Sequence, residues 1–143
     1  MVFRKNGDDQ FEVLILDYGK FYSHPKGRIE PGEDFKRTAI RELHEETDLT
    51  TIIISSKPIT IINYRYSAYR YTINKTVHFF AGIVSSKSQV VVSYEHQGFK
   101  WTTMDVARKL IIYDTDVRAL EEAYIWIKTK KVANMIRDFK NQL

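Results

Sequence analysis

Residues 34–47 carry the strongest local signal in the sequence and most restrict the folds open to this chain. Phe35, Ala39, Leu43 and Thr47 recur at helical spacing, which predicts an amphipathic helix with one apolar stripe. A Pro-Gly pair and two acidic residues stand at its predicted start, where they favour helix initiation. Because strand-like segments flank this helix on both sides, the chain is expected to combine helices with a sheet.

Strand patterns occupy much of the remaining sequence. The first is residues 11–17, FEVLILD, whose continuous apolar run predicts a buried strand. Further strands are predicted at 51–55, 58–66, 69–73, 76–84, 89–92 and 98–101. Helices are predicted at 115–127 and 131–142, with a short helix ending near Leu110 that Thr102 or Thr103 would cap. This order predicts an α/β sandwich around a mixed β-sheet.

Composition narrows the class of protein. The 143 residues contain no repeat and no Pro/Gly/Ser-rich linker, so one domain spanning 1–143 is expected. There is no cysteine, which excludes disulfides and thiolate metal sites. The start is too polar for a signal peptide and the apolar runs are too short to cross a bilayer, so we expect a cytoplasmic protein without a membrane partner. A net charge of +4 is compatible with a solvated basic surface or with a polyanionic ligand.

Three glutamates on the first helix are the leading candidates for chemistry. Glu42, Glu45 and Glu46 stand at positions i, i+3 and i+4, which share one face of a helix. Their mutual repulsion would be relieved by a divalent cation, and oxygen ligands favour Mg²⁺ or Mn²⁺. Mg²⁺ in proteins often also binds substrate phosphates, so a phosphate-bearing substrate is expected. The alternative is a solvated acidic face balanced by Arg37 and Arg41.

The three glutamates belong to a longer pattern of fixed spacing, which extends from the loop before the helix to the residues after it. The pattern consists of Gly27, Glu33, Arg41, Glu42, Leu43, Glu45, Glu46 and Leu49. Together these residues resemble the Nudix box, which would span 27–49. The one departure is Asp48, where the family has a glycine that ends the helix in a left-handed conformation. An aspartate in that conformation costs about 1 kcal/mol.

The resemblance implies a fold, a reaction and a set of roles. The implied fold is the Nudix α/β/α sandwich with a central mixed sheet, and the reaction is hydrolysis of a nucleoside diphosphate linked to another group. The implied metal ligands are the three helix glutamates and the carbonyl of Gly27. Arg41 would orient the glutamates and Glu33 would hold Arg41. A glutamate of the box, or one from a later loop, would act as general base.

A second resemblance narrows the substrate. Residues 25–34, PKGRIEPGED, are similar to the opening of the box in asymmetrical diadenosine tetraphosphate (Ap4A) hydrolases, as are the Lys75-Thr76-Val77 and Glu95-His96-Gln97 motifs. The resemblance implies cleavage of Ap4A to ATP and AMP, with Glu95 as a further metal ligand or base. The substrate-binding residues it implies are Lys26, Lys75, His96, Tyr113 and either Tyr69 or Tyr66. Each could instead be an ordinary surface or core side chain.

The sequence is also compatible with other substrates and with a non-catalytic function. Alternative substrates are RNA 5′-triphosphate ends, a dinucleoside polyphosphate of another length, or an oxidised nucleotide, and nucleic acid is a partner only under the first. A non-catalytic nucleotide-binding sensor is a further alternative, although sensors usually lose the box carboxylates. The first strand is expected to be nearly absent, and the tail at about 130–143 to be a surface helix or dimer contact. Either a monomer or a homodimer is compatible with the sequence.

Overall fold

The computed structural model describes residues 1–142, and its elements alternate between strands and helices. In chain order they are β1 (Val2–Lys5), β2 (Phe11–Asp17), β3 (Tyr22–Ser23), α1 (Phe35–Thr47), β4 (Ile53–Ile54), β5 (Thr60–Ala68), β6 (Tyr71–Phe79), β7 (Gly82–Ile83), β8 (Gly98–Thr102), α2 (Met104–Leu110), α3 (Asp114–Ile127) and α4 (Lys130–Asp138). The predicted elements are largely present with shifted ends. Thr103, rather than Thr102, caps α2 through its side chain.

Six strands form the central sheet. Its order is β3-β2-β1-β7-β4, and β8 also pairs with β2. The β1–β7 pair is parallel, with Phe3 opposite Ile83, whereas the other pairs are antiparallel. The sheet is therefore mixed, as predicted. The expectation of a nearly absent first strand is wrong, because β1 is a central strand hydrogen-bonded on both sides and its Phe3 is fully buried.

Helices cover both faces of this sheet. Alternate residues of β2 point to opposite faces, as the period of two in a strand requires. Val13 and Ile15 join a core that includes buried residues of α2, α3 and α4. Leu14 and Leu16 join a second core with Leu43 of α1. The result is the predicted α/β/α sandwich.

Strands β5 and β6 form a separate two-stranded hairpin. They pair over their whole length, from Thr60 opposite Phe79 to Ala68 opposite Tyr71. The predicted break between residues 73 and 76 is wrong, because Asn74 and Lys75 continue the ladder without interruption. The turn contains Tyr69, which has a positive φ of 56°. Most hairpin side chains beyond the base are exposed, so the arm extends from the core.

The predicted strand at 89–92 is absent. The backbone N–H of Val91 donates to the carbonyl of Thr47, and that of Ser93 donates to the carbonyl of Glu46. These bonds satisfy carbonyls at the end of α1, which have no partner within the helix. The apolar run at 89–92 therefore caps a helix and packs on the second core instead of joining the sheet.

The final helix packs on the rest of the molecule. Val132 is fully buried in the larger core, and Met135 and Ile136 pack against it. Helix α4 ends at Asp138, earlier than predicted, and its polar side chains face solvent. Among the described residues, no helix is both long and apolar enough to cross a membrane.

Candidate active site

Helix α1 is fixed at both ends by short-range interactions. Asp34 is its N-cap and accepts a hydrogen bond from the backbone N–H of Arg37 at 2.8 Å. At the other end Asp48 adopts the left-handed conformation, with φ 59°, and its N–H donates to the carbonyl of His44. The departure from glycine at position 48 therefore leaves the helix end unchanged in shape. The box glutamates consequently stand on one continuous helix.

Arg41 is the centre of a polar network beside α1. Its Nη1 donates to Glu42 Oε1 at 2.8 Å and to Glu45 Oε2 at 3.0 Å. Its Nη2 donates to the carbonyl of Arg28 at 2.9 Å, and its Nε donates to Glu33. One guanidinium thus connects two helix glutamates to the preceding loop, which is the arrangement expected of a residue that orients carboxylates.

Glu33 is held as an anion by its neighbours. Its hydrogen bonds from Arg41 and then from the Thr38 hydroxyl lower the pKa of Glu33 to about 2. Thr38 donates through Oγ1 at 2.6 Å, and the backbone N–H of Glu30 lies 3.3 Å from Glu33 Oε2. The carboxylate therefore stays charged at all physiological pH values and remains the anionic partner of the Arg41 guanidinium.

Gly27 contacts Glu42 more closely than any residue with a side chain could. A Cβ atom at position 27 would lie 1.9 Å from Cδ of Glu42 and 2.0 Å from its Oε1. Gly27 does not have a positive φ. The glycine is therefore required by the close approach of the carboxylate and not by backbone conformation.

Glu46 is the buried carboxylate of the site. Only 4% of the residue is exposed, and Oε2 accepts a hydrogen bond from the backbone N–H of Lys26 at 3.0 Å. Burial, with the charges of Glu42 and Glu95, raises the pKa of Glu46 to about 8. Burial likewise raises the pKa of Glu42. Carboxylates that resist ionisation in this way favour a bound cation.

A loop far along the chain brings two more groups to Glu46. Ligand atoms of Glu46, Glu95 and His96 lie within 4.8 Å of one another. Nε2 of His96 is 3.2 Å from Glu46 Oε1, and neither ring nitrogen of His96 has a hydrogen-bond partner among the described residues. Burial lowers the pKa of His96, which favours the neutral, ligating imidazole. Two carboxylates and a buried imidazole are a donor set that fits a divalent cation.

The other predicted metal ligands lie beside this group and not within it. Glu42 contacts Gly27 and Arg41, and Glu45 is bound to Arg41. Glu95 was predicted as a ligand or base, whereas His96 was predicted only to contact substrate. The tertiary structure adds His96 to the candidate ligands. No local spacing indicates this, because His96 and Glu46 are 50 residues apart in sequence.

Lys26 and Lys75, both predicted to bind substrate, lie close enough for the charge of Lys75 to affect the pKa of Lys26. Lys26 is exposed as a residue, and its Nζ lies 5.1 Å from the ring centroid of Tyr18 and 5.4 Å from that of Phe21. Loss of hydration beside these rings lowers the pKa of Lys26, and the charge of Lys75 lowers it further. Lys75 Nζ is 5.9 Å above the ring of Tyr64. Neighbouring ammonium groups of this kind suit a polyanionic ligand.

The predicted base-binding tyrosines have different surroundings. Tyr113 precedes α3, is 48% exposed, and contacts the ring of Phe21 at a centroid distance of 5.3 Å. The start of α3 is tied to β3, because Ser23 Oγ donates to Asp116 Oδ2 at 2.6 Å. Tyr69 is fully exposed at the hairpin turn. Tyr66, 41% exposed, shares a hairpin face with Lys75, since Lys75 pairs with Tyr64 two residues away.

Comparison with known proteins identifies the family of this chain. The NUDIX domain family matches residues 1–123. The bis(5′-nucleosyl)-tetraphosphatase (asymmetrical) of Caenorhabditis elegans is 30% identical over 118 residues, covering 79% of this chain and 82% of the relative. The protein of the same name from Sus scrofa is 31% identical over 124 residues, covering 79% and 78%.

Solved structures give the same assignment. A C. elegans Ap4A hydrolase binary complex has a TM-score of 0.73 and 26% identity, covering 88% of this chain and 92% of that one. The matched region contains the whole box at 27–49 and the Glu95–His96 loop. This chain belongs to the NUDIX family and is a Nudix hydrolase.

Proposed function

We propose that the protein hydrolyses Ap4A asymmetrically, to ATP and AMP, with Mg²⁺ as cofactor. The observation that carries this proposal is the convergence of Glu46, Glu95 and His96 beside Lys26, whose ammonium lies over the Tyr18 ring that contacts His96. A cation-binding group next to an ammonium is the arrangement that a polyphosphate chain requires. The tetraphosphatase names of relatives at 30% and 31% identity support the choice of substrate.

The metal would be held by residues of two segments. Glu46, Glu95 and His96 fit it by their proximity, and the resemblance adds Glu42, Glu45 and the Gly27 carbonyl. Bound Mg²⁺, or Mn²⁺, would neutralise phosphate charge and lower the pKa of the attacking water. The carboxylate donors suit either ion.

The protein's own groups would divide the remaining tasks. Lys26 and Lys75 would bind phosphate oxygens as point charges. Arg41, held by Glu33, would keep Glu42 and Glu45 directed towards the loop that contains Gly27. A carboxylate of the site, Glu46 or Glu95 among the candidates, would take the proton of the attacking water.

One end of the substrate would bind by stacking. The exposed ring of Tyr113 stands at the start of α3, and its neighbour Phe21 contacts the Lys26 ammonium. A base stacked on Tyr113 would therefore have its phosphates directed towards Lys26. Stacking of this kind contributes on the order of 1–3 kcal/mol per base.

The experiment is product analysis by chromatography after incubation with Mg²⁺ and Ap4A, beside parallel tubes of Ap3A, dGTP and 5′-triphosphorylated RNA. We expect equal amounts of ATP and AMP from Ap4A, and little product from the other substrates. Glu46→Gln should abolish release, whereas Glu122→Gln, an exposed glutamate of α3, should leave it unchanged. Two ADP molecules per Ap4A would contradict the asymmetrical reaction.

RNA 5′-triphosphate ends are the second candidate substrate. The specific observation in their favour is the hairpin face that carries Tyr64, Tyr66 and Lys75, because exposed rings beside a cation can stack successive bases. If only the 5′-triphosphorylated RNA is hydrolysed, RNA ends replace Ap4A as the proposed substrate. Nucleotide binding without any product would instead identify a non-catalytic sensor.

A further inference from the structure

Tyr18 and Phe21 form a parallel aromatic pair in the turn between β2 and β3. Their ring centroids are 5.1 Å apart and the rings are inclined by only 5°. The turn is closed by a hydrogen bond from the N–H of Tyr18 to the carbonyl of Phe21. Gly19 supplies the positive φ of 91° that the turn needs, and its N–H donates to the carboxylate of Asp17. The backbone of the turn thus fixes the spacing of the two rings.

The ammonium of Lys26 lies over both rings of the aromatic pair. The distances from Nζ to the two centroids, 5.1 and 5.4 Å, are within the range of cation–π attraction. A free lysine side chain has four rotatable bonds, and fixing it on a ligand costs conformational entropy. A lysine already held on two ring faces loses less of this freedom when phosphate binds.

The aromatic pair also contacts the candidate metal group. The edge of Tyr18 meets the ring of His96 at a centroid distance of 4.5 Å and an angle of 82°. The Tyr18 hydroxyl donates to the carbonyl of His24 at 2.7 Å, which fixes the ring in place. The loop that carries His96 packs on the same turn, since the N–H of Gln97 donates to the carbonyl of Asp17.

At its other end the aromatic pair contacts the candidate base-stacking residue. Phe21 meets Tyr113 edge to face at 5.3 Å and 77°. Tyr18 and Phe21 therefore bring together a phosphate-binding lysine, a candidate metal ligand and a candidate base-stacking ring.

We infer that Tyr18 and Phe21 are positioning residues, which hold the Lys26 ammonium by cation–π contact in the orientation that binds substrate phosphate. The inference rests on the proposed function for the role of Lys26 in the reaction. The contact itself, and binding of an inorganic polyphosphate, can be measured without turnover.

The first experiment compares Phe21→Leu with Phe11→Leu. The control removes a similar pair outside the site, because Lys5 Nζ lies 5.4 Å above the ring of Phe11. In the wild-type protein the rings should shift the NMR signals of the Lys26 ε-methylene protons upfield, and Phe21→Leu should reduce that shift. The Kd for inorganic tripolyphosphate should rise about 2- to 30-fold, with no change in Phe11→Leu.

A second variant keeps the shape of the ring. Substitution of 3,4,5-trifluorophenylalanine for Phe21 weakens the negative ring face at nearly constant volume, so the Kd should rise while the fold is retained. With Ap4A as substrate, KM should rise in parallel and kcat should stay within about 2-fold, because ground-state phosphate binding is altered.

The outcomes separate this inference from the proposed function. An unshifted Lys26 signal in the wild type, or equal tripolyphosphate affinity in all variants, would overturn the positioning role. If the protein does not cleave Ap4A but its tripolyphosphate affinity changes with the ring substitutions, the positioning role stands and the proposed substrate is wrong.

Discussion

The carboxylate of Glu42 rests directly against the backbone of Gly27. The space that a Cβ at position 27 would need is already filled, with carboxylate atoms 1.9, 2.0 and 2.4 Å from it. The carboxylate is held there from the other side by Arg41, whose Nη1 donates to it at 2.8 Å. A side chain at position 27 would therefore force the Glu42 carboxylate out of the position in which Arg41 holds it.

Gly27→Ala should lower activity on the order of 10²-fold while leaving the fold intact. The methyl group would displace the Glu42 carboxylate or the loop, and a displacement of about 1 Å can reduce turnover on the order of 10²-fold. Gly7→Ala is the matched control, because nothing lies within 4 Å of a Cβ at position 7. Steady-state rates with circular dichroism would check this, and wild-type kcat in Gly27→Ala would contradict it.

Arg41→Ala should lower activity roughly 10- to 100-fold, as expected when a residue that orients metal ligands is removed. Arg41 holds Glu42, Glu45 and Glu33, and it is the donor that connects them. Arg37→Ala is the comparison, because the Arg37 side chain is 73% exposed and makes a long contact of 3.8 Å with Asp34. The check is kcat/KM against Mg²⁺ concentration. Equal losses in the two variants would argue against an orienting role for Arg41.

The contribution of Glu46 to the stability of the metal-free protein should fall as pH rises towards 8, and it is obtained as the difference between the wild type and Glu46→Gln. Met1, His24 and His96, whose pKa values are lowered by burial, contribute equally to both proteins and cancel in this difference. The pKa of Glu46 is raised from an ordinary 4.5 to about 8, so the folded state binds more protons than the unfolded state between these values. This contribution to stability is complete below pH 4.5 and is lost through pH 8, with a slope approaching about 1.4 kcal/mol per pH unit. Urea unfolding in EDTA at several pH values would measure it. The free energy of unfolding of the wild type relative to Glu46→Gln should decline over this pH range, and parallel profiles of the two proteins would contradict the assignment.

Binding of Mg²⁺ at pH 7 should release a proton from the site. Glu46 is protonated there in the metal-free protein, because its pKa is about 8, and a metal ligand must be ionised. Calorimetric titration in buffers of different ionisation enthalpy would count the proton, and apparent affinity should rise as pH increases towards 8. Binding heats that do not depend on the buffer would refute the prediction.

Tyr113→Ala should raise KM for Ap4A by roughly 5- to 150-fold, the equivalent of one lost base stack. Its ring contacts Phe21, and the Lys26 ammonium lies over the Phe21 ring. Tyr69→Ala is informative beside it, because Tyr69 lies fully exposed at the hairpin turn. Similar KM values in Tyr113→Ala and wild type would show that the base does not stack on Tyr113. A large rise in KM only in Tyr69→Ala would place the base at the hairpin turn.

Local chemistry accounts for what could be predicted from the sequence. The period of the apolar residues predicted α1, and the i, i+3, i+4 spacing predicted that Glu42, Glu45 and Glu46 share one face. The left-handed end at Asp48 followed from the glycine expected there. These features depend on residues within a few positions of each other, and the fold class followed from their order along the chain.

Strands are harder to predict from sequence than helices, because strand pairing joins residues that are distant in sequence. Residues 89–92 have the apolar content of a strand, yet Val91 bonds to the end of α1 and adds no strand to the sheet. The sequence predicts that the first strand is nearly absent, yet β1 is a central strand because it has partners on both sides. Periodicity measures which residues are apolar, whereas membership of a sheet depends on which distant segment offers a partner.

By itself the sequence determined the carboxylate-bearing helix, the glycine before it and the family to which the chain belongs, since each rests on residue type and short spacing. Only the tertiary structure decided that His96 and Glu95 meet Glu46, and that Tyr18 and Phe21 lie beneath Lys26. The physical reason is that these contacts join loops whose relative positions are set by the packing of a sheet between two layers of helices, and no local pattern records that packing.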